Sequence, residues 1–561
     1  MPEVTRREFL AVSAVAASSV ACATAANPGA RSRPNVLLIL TDDQGYGDLG
    51  CHGNPHVKTP HLDRLYAESL RLTNYHNCPV CTPTRASLMT GRYNYRTCAI
   101  DTYRGRAMMH PEEVTLAELL AAGGYHTGIF GKWHLGDCFP MRACDQGFHE
   151  SLVHHGGGLR QPSDPPESGG YFDPVLMKNG ERRRYEGYCT DIFGNAAIEF
   201  LEQNREEPFF LYFATNAPHT PLIVDEAYAA PYRAMGLSDS VSKLYGMITN
   251  LDENVGRLLD TVDRLGLRDN TIVIFMTDNG AQMGQDAQRF NAGMRGQKAT
   301  IYEGGIRVPC FIRWPGVTAP GADDDRLSAH IDIMPTLLEA CGVAVPGDLR
   351  LDGRSLMPIL RGAPAEWSER TLFFQWHRGD VPEPYNGCAC LTDQYKLVNG
   401  VELYDLRKDP AEERDVSSDH PDVVAKLRAE YEAWFADVGS TRGYDPPRIV
   451  LGDARANPVY LTLQDQRAGE GGGYGLGGYW AVHVVRAGDY EITCRYAPEA
   501  MGGHASVQVG GVTATTTTVA GDQVARFASV RLPSGPASVR AWIATDGPPQ
   551  GARYVDIRAL A

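Results

Sequence analysis

Three segments of the sequence share one pattern, a continuous apolar run that ends directly in a polar loop. The runs are NVLLIL (35–40), PFFLYFAT (208–215) and TIVIFM (271–276), and the loops that follow are Thr41-Asp42-Asp43, Asn216-Ala217-Pro218-His219 and Thr277-Asp278-Asn279-Gly280. A run that is apolar at every position is typical of a parallel strand buried on both faces. The carboxyl ends of such strands share one edge of a sheet, where ligand sites form.

Segments with helical periodicity separate these runs. Apolar residues recur at three- and four-residue spacing over 61–71, 115–123, 190–204 and 239–266, as in amphipathic helices. Strands alternating with helices predict an α/β fold with a mainly parallel sheet that helices cover on both faces. We assign this domain to residues 34–370.

The pattern changes twice after that domain. Residues 371–445 contain short strand-like segments and a helix near 421–436, which predicts a small antiparallel subdomain. After Pro446-Pro447, residues 448–561 consist of short alternating segments between Gly- and Pro-rich turns, which predicts an appended all-β sandwich. We expect this module to be separable from the rest of the chain.

Residues 1–26 resemble a twin-arginine export signal, because Arg6-Arg7 and Phe-Leu precede an apolar, small-residue run that continues to Ala26. This predicts export to the periplasm or cell surface of a bacterium. Lipidation of Cys22 is an alternative to cleavage after Ala23-Thr24-Ala25, although the Leu of a lipobox is missing. No other stretch reaches the roughly 18 apolar residues that a membrane span needs.

The charge balance excludes one class of partner. With 53 Lys and Arg against 68 Asp and Glu and no basic run, the chain is not built to bind nucleic acid. The 12 cysteines after Cys22 are too sparse for a disulfide scaffold. Pairing of Cys138 with Cys144 stays open, and Cys388-Ala-Cys390 favours buried thiols or a bridge over a zinc site, because no second pair stands at zinc spacing.

Asp42 and Asp43 at one strand end, and Asp278 and Asn279 at another, offer oxygen ligands only. This donor set selects calcium or magnesium over zinc, and an irregular cluster of carboxylates and an amide favours calcium. The alternative for each pair alone is a solvated loop.

A further segment bears on the function of these acidic pairs, namely Cys81-Thr82-Pro83-Thr84-Arg85. A helix that starts near Thr84 would place the Cys81 thiol beside a helix N-terminus and a guanidinium; the alternative is a structural thiol. The segment, with the ASLMTGR that follows, closely resembles the Cys-x-Pro-x-Arg signature of the type I sulfatases in the alkaline phosphatase-like superfamily, where the cysteine is oxidised to formylglycine.

The resemblance covers about 34–440 and keeps the order of the family's segments. Besides Cys81 to Arg85, the matching segments are Thr41-Asp42-Asp43-Gln44-Gly45, Gly131-Lys132-Trp133-His134, Ala217-Pro218-His219, Thr277-Asp278-Asn279-Gly280, Lys298 with Glu303-Gly304-Gly305, and Glu402-Leu403-Tyr404-Asp405-Leu406. His149 stands where many relatives carry Asp.

This resemblance implies a formylglycine at position 81, made by a formylglycine-generating enzyme, and one Ca²⁺ per chain. It implies the metal ligands Asp42, Asp43, Cys81, Asp278 and Asn279. It implies the catalytic residues Cys81, Arg85, Lys132, His134, His219 and Lys298. One hydroxyl of the hydrated aldehyde would attack sulfur, and the other would expel sulfate. His134 would assist that expulsion, His219 would protonate the leaving alcohol, and Lys132 and Lys298 would balance charge on the sulfuryl oxygens.

The sequence therefore predicts a sulfuric ester hydrolase acting on a sulfated polysaccharide or glycan fragment. A phosphonate or phosphodiester hydrolase of the same superfamily and a glycan-binding protein with a decayed catalytic domain are the alternatives. Among weaker candidates, Arg104 and Arg106 could meet further sulfates of a polymer. The aromatic residues Tyr474, Tyr479 and Trp480 could stack on a sugar or form part of the sandwich core.

Overall fold

The computed structural model describes residues 33–282, 286, 288–363, 367–469, 476–497, 503–519, 522–544 and 548–560. The predicted export signal with Cys22, and Tyr474, lie outside the described residues. Within these ranges, no helix has the length and apolar character needed to cross a bilayer.

The main sheet has ten strands in the described residues. In spatial order they are Asp323–Asp324, Leu70–Leu72, Cys310–Arg313, Thr271–Thr277, Asn35–Thr41, Phe209–Ala214, His126–Lys132, Glu150–His154, Val175–Lys178 and Glu181–Arg184. The five strands from Thr271–Thr277 to Glu150–His154 run parallel, and antiparallel pairs flank them. The predicted parallel centre is therefore present.

Both faces of the central strands are buried. In Asn35–Thr41, Val36, Leu38 and Leu40 pack into one hydrophobic cluster, whereas Leu37 and Ile39 pack into a second cluster on the opposite face. Successive side chains of a strand point to opposite faces, so a strand between two layers of helices must be apolar throughout. This explains why apolar and polar residues do not alternate in the sequence of this strand.

The helices cover this sheet and join its strands. They are Pro60–Ala67, Cys81–Thr90, Leu116–Ala122, Cys189–Gln203, Glu226–Arg233, Asp239–Arg264, Glu303–Ile306, Ile333–Cys341 and Met357–Leu360. A further helix, Pro421–Gly439, packs on the C-terminal antiparallel subdomain, where the sequence predicted it. The helix predicted at 61–71 ends at Ala67, because Leu70–Leu72 pairs with Cys310–Arg313 as a strand of the sheet. The apolar residues of segment 61–71 therefore belong partly to a helix and partly to a strand.

The two C-terminal units have the predicted classes. The subdomain is an antiparallel sheet of Leu372–Gln375, Cys388–Leu391, Tyr395–Val398 and Glu402–Asp405. One sheet of the sandwich contains Ile449–Leu451, Trp480–Val484, Gly535–Ala544, His504–Val509, Val512–Thr517 and Gln550–Gly551. The other contains Val459–Thr462, Tyr554–Ala559, Gly488–Arg495 and Val524–Leu532. Met108, Phe139 and Met141 of the α/β domain pack into the core of the sandwich, so the module shares apolar surface with that domain.

The cysteines of the described residues are all free. The Cys138 thiol donates to the Tyr460 carbonyl at 3.3 Å, and Cys388 and Cys390 are buried thiols in one strand. The pairing of Cys138 with Cys144 that the sequence left open does not occur.

Candidate active site

The polar loops after the central strands meet at one edge of the sheet. Leu40 lies opposite Ala214, and Thr41 lies opposite Thr277, so the loops that start at Asp42 and Asp278 leave the sheet side by side. The amide of Asp43 donates to Oδ1 of Asp278 at 3.2 Å. Parallel pairing in register thus joins residues 235 positions apart.

Gly131 allows the strand that carries Lys132 to lie very close to the backbone of the neighbouring strand. Gly131 has a φ of 126°, and a β-carbon there would lie 1.8 Å from the Ala214 carbonyl oxygen. Only glycine fits this backbone conformation and this contact. The close approach places Lys132, fully buried, at the same edge as Asp42.

We expect Gly131→Ala to lower the free energy of unfolding by about 3 kcal/mol or more, because it adds a backbone clash to the strain. Gly187→Ala is the matched control, since Gly187 also has a positive φ (101°) but no atom within 4 Å of the added carbon. Denaturant unfolding of both variants measures the difference. Equal losses in the two would show that the contact with Ala214 does not matter.

Each acidic side chain of the site is paired with a cation. Lys132 Nζ lies 2.6 Å from Asp42 Oδ2, and Lys298 Nζ lies 2.7 Å from Asp43 Oδ1. Arg85 donates from Nε (3.1 Å) and from its terminal nitrogen (2.8 Å) to Asp278 Oδ2, and also to the Lys132 carbonyl at 2.8 Å. Arg85 therefore acts on the site by holding Asp278 and the Lys132 backbone.

These contacts shift the carboxyl groups in opposite directions. Burial, followed by the neighbouring Asp42 carboxylate, raises the pKa of Asp278 to about 6. Burial alone would raise the pKa of Asp43 as well, but Lys298, His219 and Asn279 hold it well below its ordinary value. Carboxylates thus crowd one another around Asp278, an arrangement that a divalent cation would relieve.

The helix at Cys81 starts earlier than predicted. It spans Cys81–Thr90, so the expected start near Thr84 is wrong by three residues. The Cys81 thiol is 1 % exposed and donates to Asp42 Oδ1 at 3.4 Å. Burial, Asp278 and Asp42 raise its pKa, so the side chain is a thiol despite the helix N-terminus. An unmodified Cys81 is poorly suited to act as a nucleophile.

The two histidines have defined hydrogen-bond partners. His134 Nε2 lies 2.9 Å from the Thr102 carbonyl oxygen, and its buried Nδ1 has no partner. His219 Nδ1 lies 2.6 Å from the Thr220 carbonyl, and its Nε2 lies 3.5 Å from Asp43 Oδ2. A carbonyl only accepts, so these contacts place the proton of each neutral ring on the bonded nitrogen.

Burial lowers the pKa of both rings. For His134, the charges of Lys132 and Arg85 add to burial and hold the pKa well below its ordinary value. For His219, burial and then Lys298 lower the pKa to about 3, although Asp43 opposes the shift. Both histidines are therefore neutral in this state of the site, which suits proton acceptance by the free nitrogen.

Cys81 lies on the wall of a cavity of about 520 Å³. His134, His219 and Lys298 share this wall, whereas Lys132 lies behind it, fully buried. The wall also includes residues that the sequence did not predict, among them Thr102, Gln282, Gln297, Trp376, Arg378 and Gln464. Gln464 belongs to the sandwich, so the module that we expected to be separable reaches the cavity.

The residues present fit a divalent cation. Ligand atoms of Asp42, Asp43, Cys81 and His219 lie within 4.8 Å of one another. Asn279 Nδ2 donates to Asp43 Oδ1 at 2.8 Å, which leaves its buried Oδ1 without a hydrogen-bond partner. Buried polar atoms are seldom left unsatisfied, and this oxygen is of the type that calcium prefers.

Two of the weaker candidates are settled. Arg106 is 3 % exposed and donates to Asp380 (2.9 Å) and to the Tyr444 carbonyl, so it does not face a polymer in solvent. Trp480 is fully buried and donates to the Thr462 carbonyl at 2.6 Å. It is a core residue of the sandwich and cannot stack on a sugar.

Comparison with known proteins gives consistent matches. The family model described as "Sulfatase" matches residues 34–343, and "N-sulphoglucosamine sulphohydrolase, C-terminal" matches 296–435. Human arylsulfatase A is 35 % identical over 500 residues, with 78 % of this chain and 94 % of that protein covered. Human N-acetylgalactosamine-6-sulfatase is 33 % identical over 382 residues, with 63 % and 70 % covered. The crystal structure of Ps i-CgsB in complex with k-i-k-neocarrahexaose superimposes with a TM-score of 0.67 at 27 % identity, covering 74 % of this chain and 95 % of that one.

Proposed function

Because this chain belongs to the sulfatase family and is a sulfuric ester hydrolase, we propose that it removes sulfate from saccharides through a formylglycine at position 81 and a calcium ion. The observation that carries the proposal is the cavity that has Cys81 in its wall and Asp42, Asp43, Asp278 and Asn279 clustered around it.

In this proposal Asp42, Asp43, Asp278, Asn279 and the modified Cys81 would hold the calcium ion. When bound there, it would supply positive charge close to the nucleophile and the sulfuryl oxygens. The aldehyde hydrate at position 81 supplies one hydroxyl to take up the sulfuryl group and a second to expel sulfate.

The other side chains of the site divide the remaining tasks. Lys298 lies on the cavity wall, where its ammonium group can contact the sulfate oxygens. Lys132 lies behind the wall and is paired with Asp42, so its positive charge acts on the sulfate oxygens from a greater distance. His134 accepts the proton of the hydrate at Nδ1. His219 donates from Nε2 to the leaving oxygen, so it must first be protonated there, and the negative charge of a bound sulfate ester favours that state.

The cavity wall supports a saccharide as the leaving group. Gln161, Gln282 and Gln297, whose side chains end in amides, line the cavity together with the aromatic Trp376. An amide both donates and accepts, which suits vicinal hydroxyl groups, and an aromatic face suits a sugar ring. A steryl or simple aryl leaving group would not need three amides.

Release of sulfate from a panel of defined sulfated saccharides tests the substrate class, with an aryl sulfate and an aryl phosphonate as reference esters. We expect the best saccharide to exceed the aryl sulfate in kcat/KM, and the aryl phosphonate to react more slowly than the aryl sulfate. Faster hydrolysis of the phosphonate would favour the phosphonate hydrolase instead. Absence of hydrolysis by aldehyde-bearing protein would favour a binding protein.

We expect His219→Ala to lower kcat/KM on a saccharide sulfate by about 10²- to 10⁴-fold, as for loss of a general acid. An aryl sulfate whose phenol leaves without protonation should lose clearly less. His155→Ala is the control, since His155 is also buried but does not lie on the cavity wall. Equal losses on both esters would contradict the role of His219 as proton donor.

The proposal also includes export and maturation. Arg6-Arg7 and the apolar run to Ala26 support twin-arginine export to the periplasm or cell surface, with lipidation of Cys22 as the alternative to cleavage. The Cys81 to Arg85 signature supports recognition by a formylglycine-generating enzyme. Mass spectrometry of the exported protein reports both its N-terminus and the residue at 81.

A further inference from the structure

One side chain of the C-terminal sandwich lies directly against the proposed proton acceptor. Gln464 is in the short 3₁₀ turn Leu463–Asp465, is 3 % exposed and lies on the cavity wall. Its Nε2 lies 2.7 Å from the Thr102 carbonyl oxygen and 3.3 Å from His134 Nε2. Thr102 and Gln464 are 362 positions apart in the chain.

The Thr102 carbonyl oxygen determines the orientation of both the Gln464 amide and the His134 ring. A carbonyl oxygen accepts only, so it orients the Gln464 amide with its NH₂ group toward Thr102. The same oxygen accepts from His134 Nε2 at 2.9 Å. Since Nε2 carries the proton, Nδ1 is left as the nitrogen of His134 that can accept one.

Gln464 also fixes the loop that provides this carbonyl. Its backbone oxygen accepts from the Gly105 amide at 2.8 Å, while its side chain donates to Thr102. The loop 102–105 is thus held at both ends by one residue of the sandwich. Gly105 has a φ of 69°, and a β-carbon there would lie 2.5 Å from the Arg467 side chain, so the sandwich packs tightly on this loop.

The backbone of His134 is strained. It has a φ of 57°, in the left-handed region that residues other than glycine rarely adopt. Such conformations persist only where the surroundings impose them. For the ring of His134, those surroundings include the Thr102 carbonyl and the Gln464 amide.

We propose that Gln464 is a positioning residue for catalysis: it fixes the Thr102 carbonyl and thereby the tautomer and orientation of His134, so that the C-terminal sandwich is part of the active site. The inference rests on the proposed role of His134. It replaces our expectation of a separable module, because an enzyme without the sandwich would lack this support even for small substrates.

The test is a double-mutant cycle between Gln464→Leu and His134→Ala in the full-length chain, assayed on a small aryl sulfate. Rates are normalised to the aldehyde content at position 81. We expect Gln464→Leu to lower kcat by about 10- to 100-fold, the range for loss of an outer-shell partner of a functional histidine, with KM changed less than about twofold. In the His134→Ala background the same substitution should have no further effect on kcat.

Two further variants separate positioning from folding. Gln466→Leu places the same side chain two residues away, at a position that is 1 % exposed but not on the cavity wall; it should lower Tm to a similar extent and leave kcat unchanged. Gln464→Glu keeps the size but turns an acceptor toward Thr102, so it should lower kcat as Gln464→Leu does. It serves for the cycle if Gln464→Leu does not fold.

The outcomes distinguish the inference from the proposed function. An unchanged kcat in folded Gln464 variants, or additive losses in the cycle, would overturn the positioning role while leaving the sulfatase mechanism in place. If His134→Ala itself retained full kcat, the proposed role of His134 would fail, and the inference with it.

Discussion

Cys81→Ala should abolish turnover of sulfate esters while leaving the fold in place. We expect a loss in kcat of about 10⁴-fold or more, as for removal of a catalytic nucleophile. The side chain is small, and the neighbouring Asp42 keeps its contact with Lys132, so Tm should change little. Sulfate release and thermal unfolding of the same preparation measure the two effects.

The same position allows a test of the modification itself. Protein made together with a formylglycine-generating enzyme should yield a peptide that carries an aldehyde at 81, recognised by its lower mass and by reaction with a hydrazide. Cys81→Ser should be nearly as inactive as Cys81→Ala, because a single hydroxyl can take up a sulfuryl group but cannot expel it. Unmodified thiol enzyme that turned over at the rate of the aldehyde form would disprove the mechanism.

Asp278→Ala should remove both calcium binding and activity. Its carboxylate accepts two hydrogen bonds from Arg85 and one from the Asp43 amide, so the substitution also leaves a fully buried guanidinium without its charged partner. We expect a loss in kcat/KM of about 10³-fold or more and a loss in the free energy of unfolding of about 3–5 kcal/mol. Calcium content by elemental analysis, turnover and denaturant unfolding give the three readouts.

A second buried ion pair provides the control for Asp278→Ala. Asp332 is fully buried and accepts from Arg370 at 2.8 Å, and it is not one of the proposed calcium ligands. Asp332→Ala should lower stability to a similar extent but keep calcium and kcat. Full calcium occupancy with unchanged turnover in Asp278→Ala would rule out Asp278 as a ligand.

Much of the candidate site was predictable because it follows from local pattern and simple topology. An unbroken apolar run can be buried on both faces only in the centre of a layered sheet, and parallel strands bring their carboxyl ends to one edge. Asp42, Asp43, Asp278 and Asn279 each follow such a strand, so their proximity could be inferred. The chemistry that we propose for Cys81 rests on a family signature, since spacing alone is equally compatible with a structural thiol.

Other features of the site depend on contacts that no periodicity encodes. The pKa of the Cys81 thiol is raised by burial and by two carboxylates, against the effect of the helix N-terminus that the sequence suggested. Arg85 contacts Asp278, not the cavity, which only the packed structure could show. A pKa is set by every group within a few ångströms, and most of these groups are distant in sequence.

The sequence by itself determined the layered α/β fold, the edge of the sheet where the candidate site forms and the side chains that we propose for its chemistry, because each follows from the order of strands and helices or from a short signature. Tertiary structure alone decided which residues complete the cavity and hold His134. Thr102 lies in a loop, Trp376 in the antiparallel subdomain and Gln464 in the sandwich. They meet because three separately patterned units dock on one another, and docking depends on the complementary shapes of folded surfaces, which exist only after each unit has packed its own core.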